Sequence, residues 1–271
     1  MMTSLSIIGG ALRYEFRMQI RRRSIWLVLV LVSAMIYLLW YAFAAPLVHG
    51  HLRTEVNPPQ WLPPSQSDAI LFLAQMMGMF MPLGVGLVLA DRLARDRKIR
   101  VDEIFDSFSS SFAARLIGKY LGSVLATLIP VLLIYSIGIG YTLSQAPGAQ
   151  GILLALAAFA AIPLPGILFV AGFSIALPAI IKVPIYQFLF IGYWFWADLM
   201  SPRFKIPTLT GTMLNAAGPY AQEAFFHFQW IFLQLNIGVL QGIESITLLV
   251  GLGLFAMFAT WGYLRWQKAH R

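Results

Sequence analysis

AILFLAQMMGMFMPLGVGLVLADRLARDRKIRVDEIFDSF, residues 69–108, decides the fold of this chain. Its first 22 residues carry no charged side chain, whereas residues 95–108 carry four basic and four acidic ones. An apolar helix of about 20 residues crosses the roughly 30 Å hydrocarbon core of a bilayer. A run of that length ending at Asp91-Arg92 reads as a transmembrane helix emerging into water.

The same pattern recurs along the chain. Its 271 residues are 59% hydrophobic and 11% charged, with mean hydropathy +0.75. Soluble domains carry about 25% charged residues, so an all-α polytopic membrane protein is expected. The apolar runs predict six transmembrane helices, near 24–45, 69–90, 120–143, 152–181, 183–200 and 244–264. Only Lys182-Val183-Pro184 separates the fourth from the fifth, where proline disfavours helical geometry at the residue before it. Pro163, Pro165 and Pro178 each remove a backbone donor and predict bends in the fourth. The first run is too long for a signal core, and no cleavable signal peptide is expected. Residues 224–240, AFFHFQWIFLQLNIGVL, are a candidate seventh crossing interrupted by His227, Gln229, Gln234 and Asn236. They are read instead as a partly buried, re-entrant or interfacial element on the outer side, tolerated at depth where protein surrounds it.

Charge placement orients the bundle. With the N-terminus inside, sixteen of the nineteen Lys and Arg residues lie on the cytoplasmic side, leaving Arg53, Arg203 and Lys205 outside. That asymmetry follows the positive-inside rule and predicts both termini in the cytoplasm. It also accounts for the net charge of +8 without a nucleic-acid partner. A seventh crossing would put Arg265, Lys268 and Arg271 outside.

Between the second and third helices, Val101, Ile104, Phe105, Phe108 and Phe112 recur at helical spacing and form one apolar stripe. Asp102, Glu103 and Asp106 occupy other faces and sit early, where the helix dipole favours acids. Such a short amphipathic helix either lies on the lipid surface, its basic flank on anionic headgroups, or docks in a socket on another protein. The acidic face disfavours anionic lipid.

Arg95-Asp96-Arg97, Val101-Asp102-Glu103-Ile104-Phe105 and Gly118-Lys119-Tyr120-Leu121-Gly122 resemble the cytoplasmic loop of the type-2 ABC transporter permeases. There a charged stretch ends the second helix, a short coupling helix comes next, and a Gly-Lys leads into the third. Residues 11–23, ALRYEFRMQIRRR, are similar to that family's amphipathic connecting helix. The segment 201–243, with Leu214-Asn215, Pro219-Tyr220 and Glu223-Ala224, is similar to its re-entrant outer region. Ser109-Ser110-Ser111 departs from the family, which often has a proline after the coupling helix.

The resemblance implies one permease domain over 1–271, comprising a cytoplasmic amphipathic helix (1–23), a coupling loop (91–119) and an outer re-entrant region (201–243). It implies a subunit of an ATP-driven transporter in the cytoplasmic membrane, with export of a hydrophobic or amphipathic substrate as its expected activity. Arg100, Val101, Asp102, Glu103, Ile104, Phe105, Asp106 and Phe108 would then contact a cytoplasmic ATPase, present in two copies and carrying ATP and magnesium. A second copy of this permease, or a related one, would complete the pathway. No G-x-x-x-x-G-K-[ST] stands in this chain: Ala113 replaces the first glycine before Gly118-Lys119, and Tyr120 comes after. The alternative is a non-transporting scaffold or sensor whose charged loop docks a cytoplasmic regulator.

Other constellations carry less. The chain has no cysteine, so thiolate chemistry is excluded. His49-Gly50-His51, with Glu55 and Asp68 nearby, lacks the support of a metal centre and reads as an outer loop. No H-E-x-x-H, G-x-S-x-G or paired intramembrane acids point to an enzyme. The span centres lack ionisable groups, which ion-coupled transporters usually place there. Asp198 and Glu244, near outer ends, are expected to be solvated. Gly118-x-x-x-Gly122 reads as close helix packing, and Tyr193, Trp194, Trp196, Trp230 and Trp61 as an interfacial belt.

Overall fold

A computed structural model describes residues 4–48, 66–92, 112–145, 149–200, 206–228 and 236–270. Regular structure among these is entirely helical. The helices are α1 (Ser4–Ile20), α2 (Arg23–Val48), α3 (Gln66–Leu89), α4 (Phe112–Gln145), α5 (Ala149–Ala161), α6 (Pro163–Ala176), α7 (Val183–Trp194), α8 (Pro219–Phe226) and α9 (Val239–Ala269).

Among the described residues, five stretches are long and apolar enough to cross a membrane: Arg23–Tyr41, Gln66–Leu89, Ala113–Ser144, Gln150–Ala179 and Val239–Gln267. Four of the six predicted spans thus reappear as single helices, with shifted ends. The expected bend in the fourth is a break at Ile162, after which Pro163 opens α6. Proline at a first helical position costs no hydrogen bond, and the Ile162 N–H still reaches the Ala158 carbonyl at 2.9 Å. A 3-10 turn over Leu177–Ala179 contains Pro178.

The span predicted at 183–200 is helical from Val183 to Leu199. Helix α7 has 12 residues, and a widened π turn of 5, Phe195–Leu199, ends it. Together they form 17 continuous helical residues, about 25 Å at 1.5 Å per residue, the lower end of what a crossing needs. Beyond the π turn the chain folds back against the bundle. Gly78 of α3 and Gly166 of α6 lie against the carbonyls of Ala217 and Ala216, so closely that a Cβ at Gly78 would sit 2.6 Å from the Ala217 oxygen. Gly78 is near the midpoint of α3, so the segment after α7 reaches halfway along that helix.

No single helix runs through 224–240. Helix α8 stops at Phe226, His227 adopts a left-handed φ of 50°, and α9 starts after extended Gly238.

The core is a sheath around α3, whose residues are buried from Ala69 to Gly78 and again at Met81, Val85 and Leu89. Ile25, Leu29, Ser33, Ile36 and Trp40 of α2 are buried at intervals of three to four residues. Outward faces such as Leu27, Leu38, Ile137, Leu153 and Phe255 are exposed and apolar, as expected of surfaces that meet lipid.

Candidate functional site

Arg100, Val101, Asp102, Glu103, Ile104, Phe105, Asp106 and Phe108 lie outside the described residues, as do His49, His51 and Glu55. Both flanks of the charged segment are described, and both rest on α1.

The first flank is the end of α3. Asp91 forms a two-pronged ion pair with Arg22: Nη1 donates to Oδ1 at 2.7 Å and Nη2 pairs with Oδ2. Two planar groups in that register make a strong charge-assisted contact. Donating to Asp91 raises the Arg22 pKa above its already high ordinary value. The next residue, Arg92, turns inward and is 1% exposed. Its Nη2 pairs with Glu15 Oε1 of α1. Ser123 Oγ of α4 donates to the same oxygen at 3.1 Å and Gln19 Nε2 at 3.4 Å. A buried carboxylate requires such company, because desolvating an ion costs several kcal/mol.

The second flank is the start of α4. It begins at Phe112, last residue of the predicted apolar stripe, so Arg115 and Lys119 belong to a helix rather than to the loop. Gly118 and Gly122 let α1 approach closely. A Cβ at Gly118 would meet the Ile8 carbonyl at 2.7 Å, and one at Gly122 the Leu12 carbonyl at 2.6 Å. The small-residue pair is therefore a packing seam, and its partner is α1.

Helix α1, expected within 1–23, runs from Ser4 to Ile20. Ile8, Ala11, Leu12, Glu15 and Gln19 turn towards the bundle, while Leu5, Arg13, Tyr14 and Arg17 face out. Trp26 Nε1 donates to the Ile20 carbonyl at 2.8 Å and fixes the corner into α2. Amphipathy was legible in the sequence. The acid on its inner face was not, because the partner Arg92 stands 77 positions away.

A second feature lies between α6 and α7. An open groove of about 330 Å³ is lined by Phe169, Phe173, Leu177, Tyr186, Phe190 and Tyr193, among others. Its wall is almost wholly apolar; the Tyr186 hydroxyl is occupied with Ser174 Oγ at 2.7 Å. Of the aromatics assigned to a belt, Tyr193 lines this groove, whereas Trp194 is buried and donates its indole N–H to the Met79 carbonyl at 2.9 Å.

Asp198 requires a correction. It is 4% exposed rather than solvated, because the returning segment covers it and the Ala216 N–H donates to its Oδ1 at 2.8 Å. Glu244 is exposed, as expected. Among the described residues no three His, Cys, Asp or Glu side chains gather to hold a metal ion.

The sequence matches no family model and no curated protein.

Proposed function

We propose that this chain is the membrane-spanning permease subunit of an ATP-driven transporter of the type-2 ABC kind, working in the cytoplasmic membrane with both termini inside. The observation that carries this reading is that the charged segment leaves and rejoins the bundle on one helix, α1. Asp91 and Arg92 tie its start to Arg22 and Glu15, and Gly118 and Gly122 seat α1 against its far side. A push on residues 100–108 would be delivered to α1, α3 and α4 together. That arrangement suits transmission of a partner's motion as a rigid-body shift, whereas a loop serving only to dock a regulator needs no such anchorage. The exposed, basic outer face of α1 suits the inner membrane surface.

In this reading a cytoplasmic ATPase grips Arg100–Phe108, with Ile104, Phe105 and Phe108 as the apolar anchors. Two permeases form the pathway, and the segment between α7 and α9 is a re-entrant outer element. The apolar groove between α6 and α7 favours a hydrophobic or amphipathic substrate.

Mild-detergent purification of the tagged chain is expected to recover an ABC ATPase in equal amount. Replacing Ile104, Phe105 and Phe108 together with alanine is expected to reduce transport to background while the chain still inserts. Normal transport with normal recovery of the complex would refute the coupling role, and a stable chain without a nucleotide-binding partner would favour the scaffold. Because the chain lacks cysteine, single cysteines report its orientation directly. Those placed at 49 and 205 are expected to react with an impermeant maleimide from outside, and one at 98 only from inside.

A further inference from the structure

Where the π turn after α7, the returning segment and α3 meet, the fold leaves a small, partly open cavity of about 10 Å³. That is room for about one water-sized particle. Its wall is richer in polar groups than a membrane protein needs for packing. Asp198 is 4% exposed; Oδ1 is satisfied by the Ala216 N–H, but Oδ2 has no partner. Gln75, 2% exposed, donates Nε2 to the Ala217 carbonyl at 3.3 Å, which fixes the amide and leaves Oε1 unpartnered. Thr210 completes the set by turning its proton away. Its hydroxyl lies 3.0 Å from the carbonyls of both Ala197 and Met200, to which it donates, so only lone pairs remain for the cavity. Asn215 Oδ1, also on the wall, accepts the Ala217 N–H at 2.9 Å and has a second lone pair.

With Asp198 ionised, the two unsatisfied atoms are both acceptors, and one bears a formal charge. Among the described residues no Lys, Arg or His forms an ion pair with Asp198. A buried carboxylate without a counter-charge is costly. We propose that this cavity binds one small monovalent cation, of the size and hardness of sodium, through Asp198 Oδ2 and Gln75 Oε1 with Thr210 and Asn215 completing an all-oxygen shell.

Charge, chemistry and size select that class. One carboxylate neutralises one positive charge, whereas a divalent ion would bury an excess. The oxygen donors are hard, and neither imidazole nor thiolate is present to favour a transition metal. The volume excludes a hydrated ion or an organic ammonium. Bound there, the cation ties α3 to the returning segment and stabilises the outer half of the bundle. Such a site is independent of the transport reading.

The test is thermal unfolding of the purified full chain in detergent, followed by tryptophan emission, in sodium, potassium or choline chloride at equal ionic strength. Sodium is expected to raise Tm saturably by about 3–5 °C, potassium by less and choline not at all. Asp198→Asn places an amide donor beside Gln75 Oε1 without the charge, and is expected to fold and lose the sodium dependence. Equal Tm in sodium and choline would overturn the proposal and leave the cavity to a water molecule. A sodium shift that survives in Asp198→Asn would overturn it as well. Should that variant fail to fold, binding of radioactive sodium to the unaltered chain decides: one saturable site per chain supports the proposal, and none refutes it.

Discussion

Replacing Arg92 with methionine is expected to destabilise the chain by about 3–5 kcal/mol, the cost of stranding one member of a buried ion pair. Glu15 would keep the Ser123 hydroxyl and the more distant Gln19 amide as hydrogen-bond donors, with Lys119 and Arg22 as the remaining nearby cations, in a site that admits almost no water. Relief would come by protonation or by α1 lifting off α4. The double variant Glu15→Met, Arg92→Met is expected to recover most of the loss, because an apolar pair of similar volume is often as stable as the ions it replaces. Thermal unfolding of the two single variants and the double one closes a double-mutant cycle. A coupling below about 1 kcal/mol would mean that the two charges do not hold α1 to α3. The recovered double variant is also informative about function. If it folds and binds its partners but transports poorly, the ion pair transmits motion rather than merely securing a helix.

The second large effect is expected at Gly122. A Cβ there would lie 2.6 Å from the Leu12 carbonyl and 2.8 Å from the Glu15 Cβ. Both obstacles belong to or adjoin the backbone of α1 and cannot rotate away. Gly122→Ala is therefore expected to cost about 1–3 kcal/mol through overpacking, and Gly122→Leu to displace α1 and leave Glu15 without Ser123. Gly140, on the same helix, meets nothing within 4 Å, so Gly140→Ala is the control. It should be neutral or stabilising by roughly 0.5–1 kcal/mol, since alanine loses less backbone freedom in a helix. Limited proteolysis near residue 20 distinguishes the outcomes: faster cleavage in Gly122→Leu and unchanged cleavage in Gly140→Ala are expected. Equal rates in all three would show that α1 does not depend on the seam.

Properties encoded by neighbouring residues were legible in one dimension. The uncharged runs mark most of the crossings, because length and apolarity are what a bilayer selects. Pro163 marks the break in the fourth, since a missing backbone donor acts where it stands. The apolar stripe of α1 comes from the helical period.

The tertiary structure decided matters that depend on residues distant in sequence. Asp198 looked like a solvated residue at a helix end until residues 206–218, returning along α3, covered it. The segment 183–200 is helical almost to its predicted end, but the widening of its last turn into a π turn and the return of the chain along α3 depend on residues far from it in sequence. Nothing local singles out Glu15 within its amphipathic helix or Arg92 within its basic loop. Hydropathy assigns a cost to each charge singly, and only folding brings the two together, where each makes the other's burial tolerable.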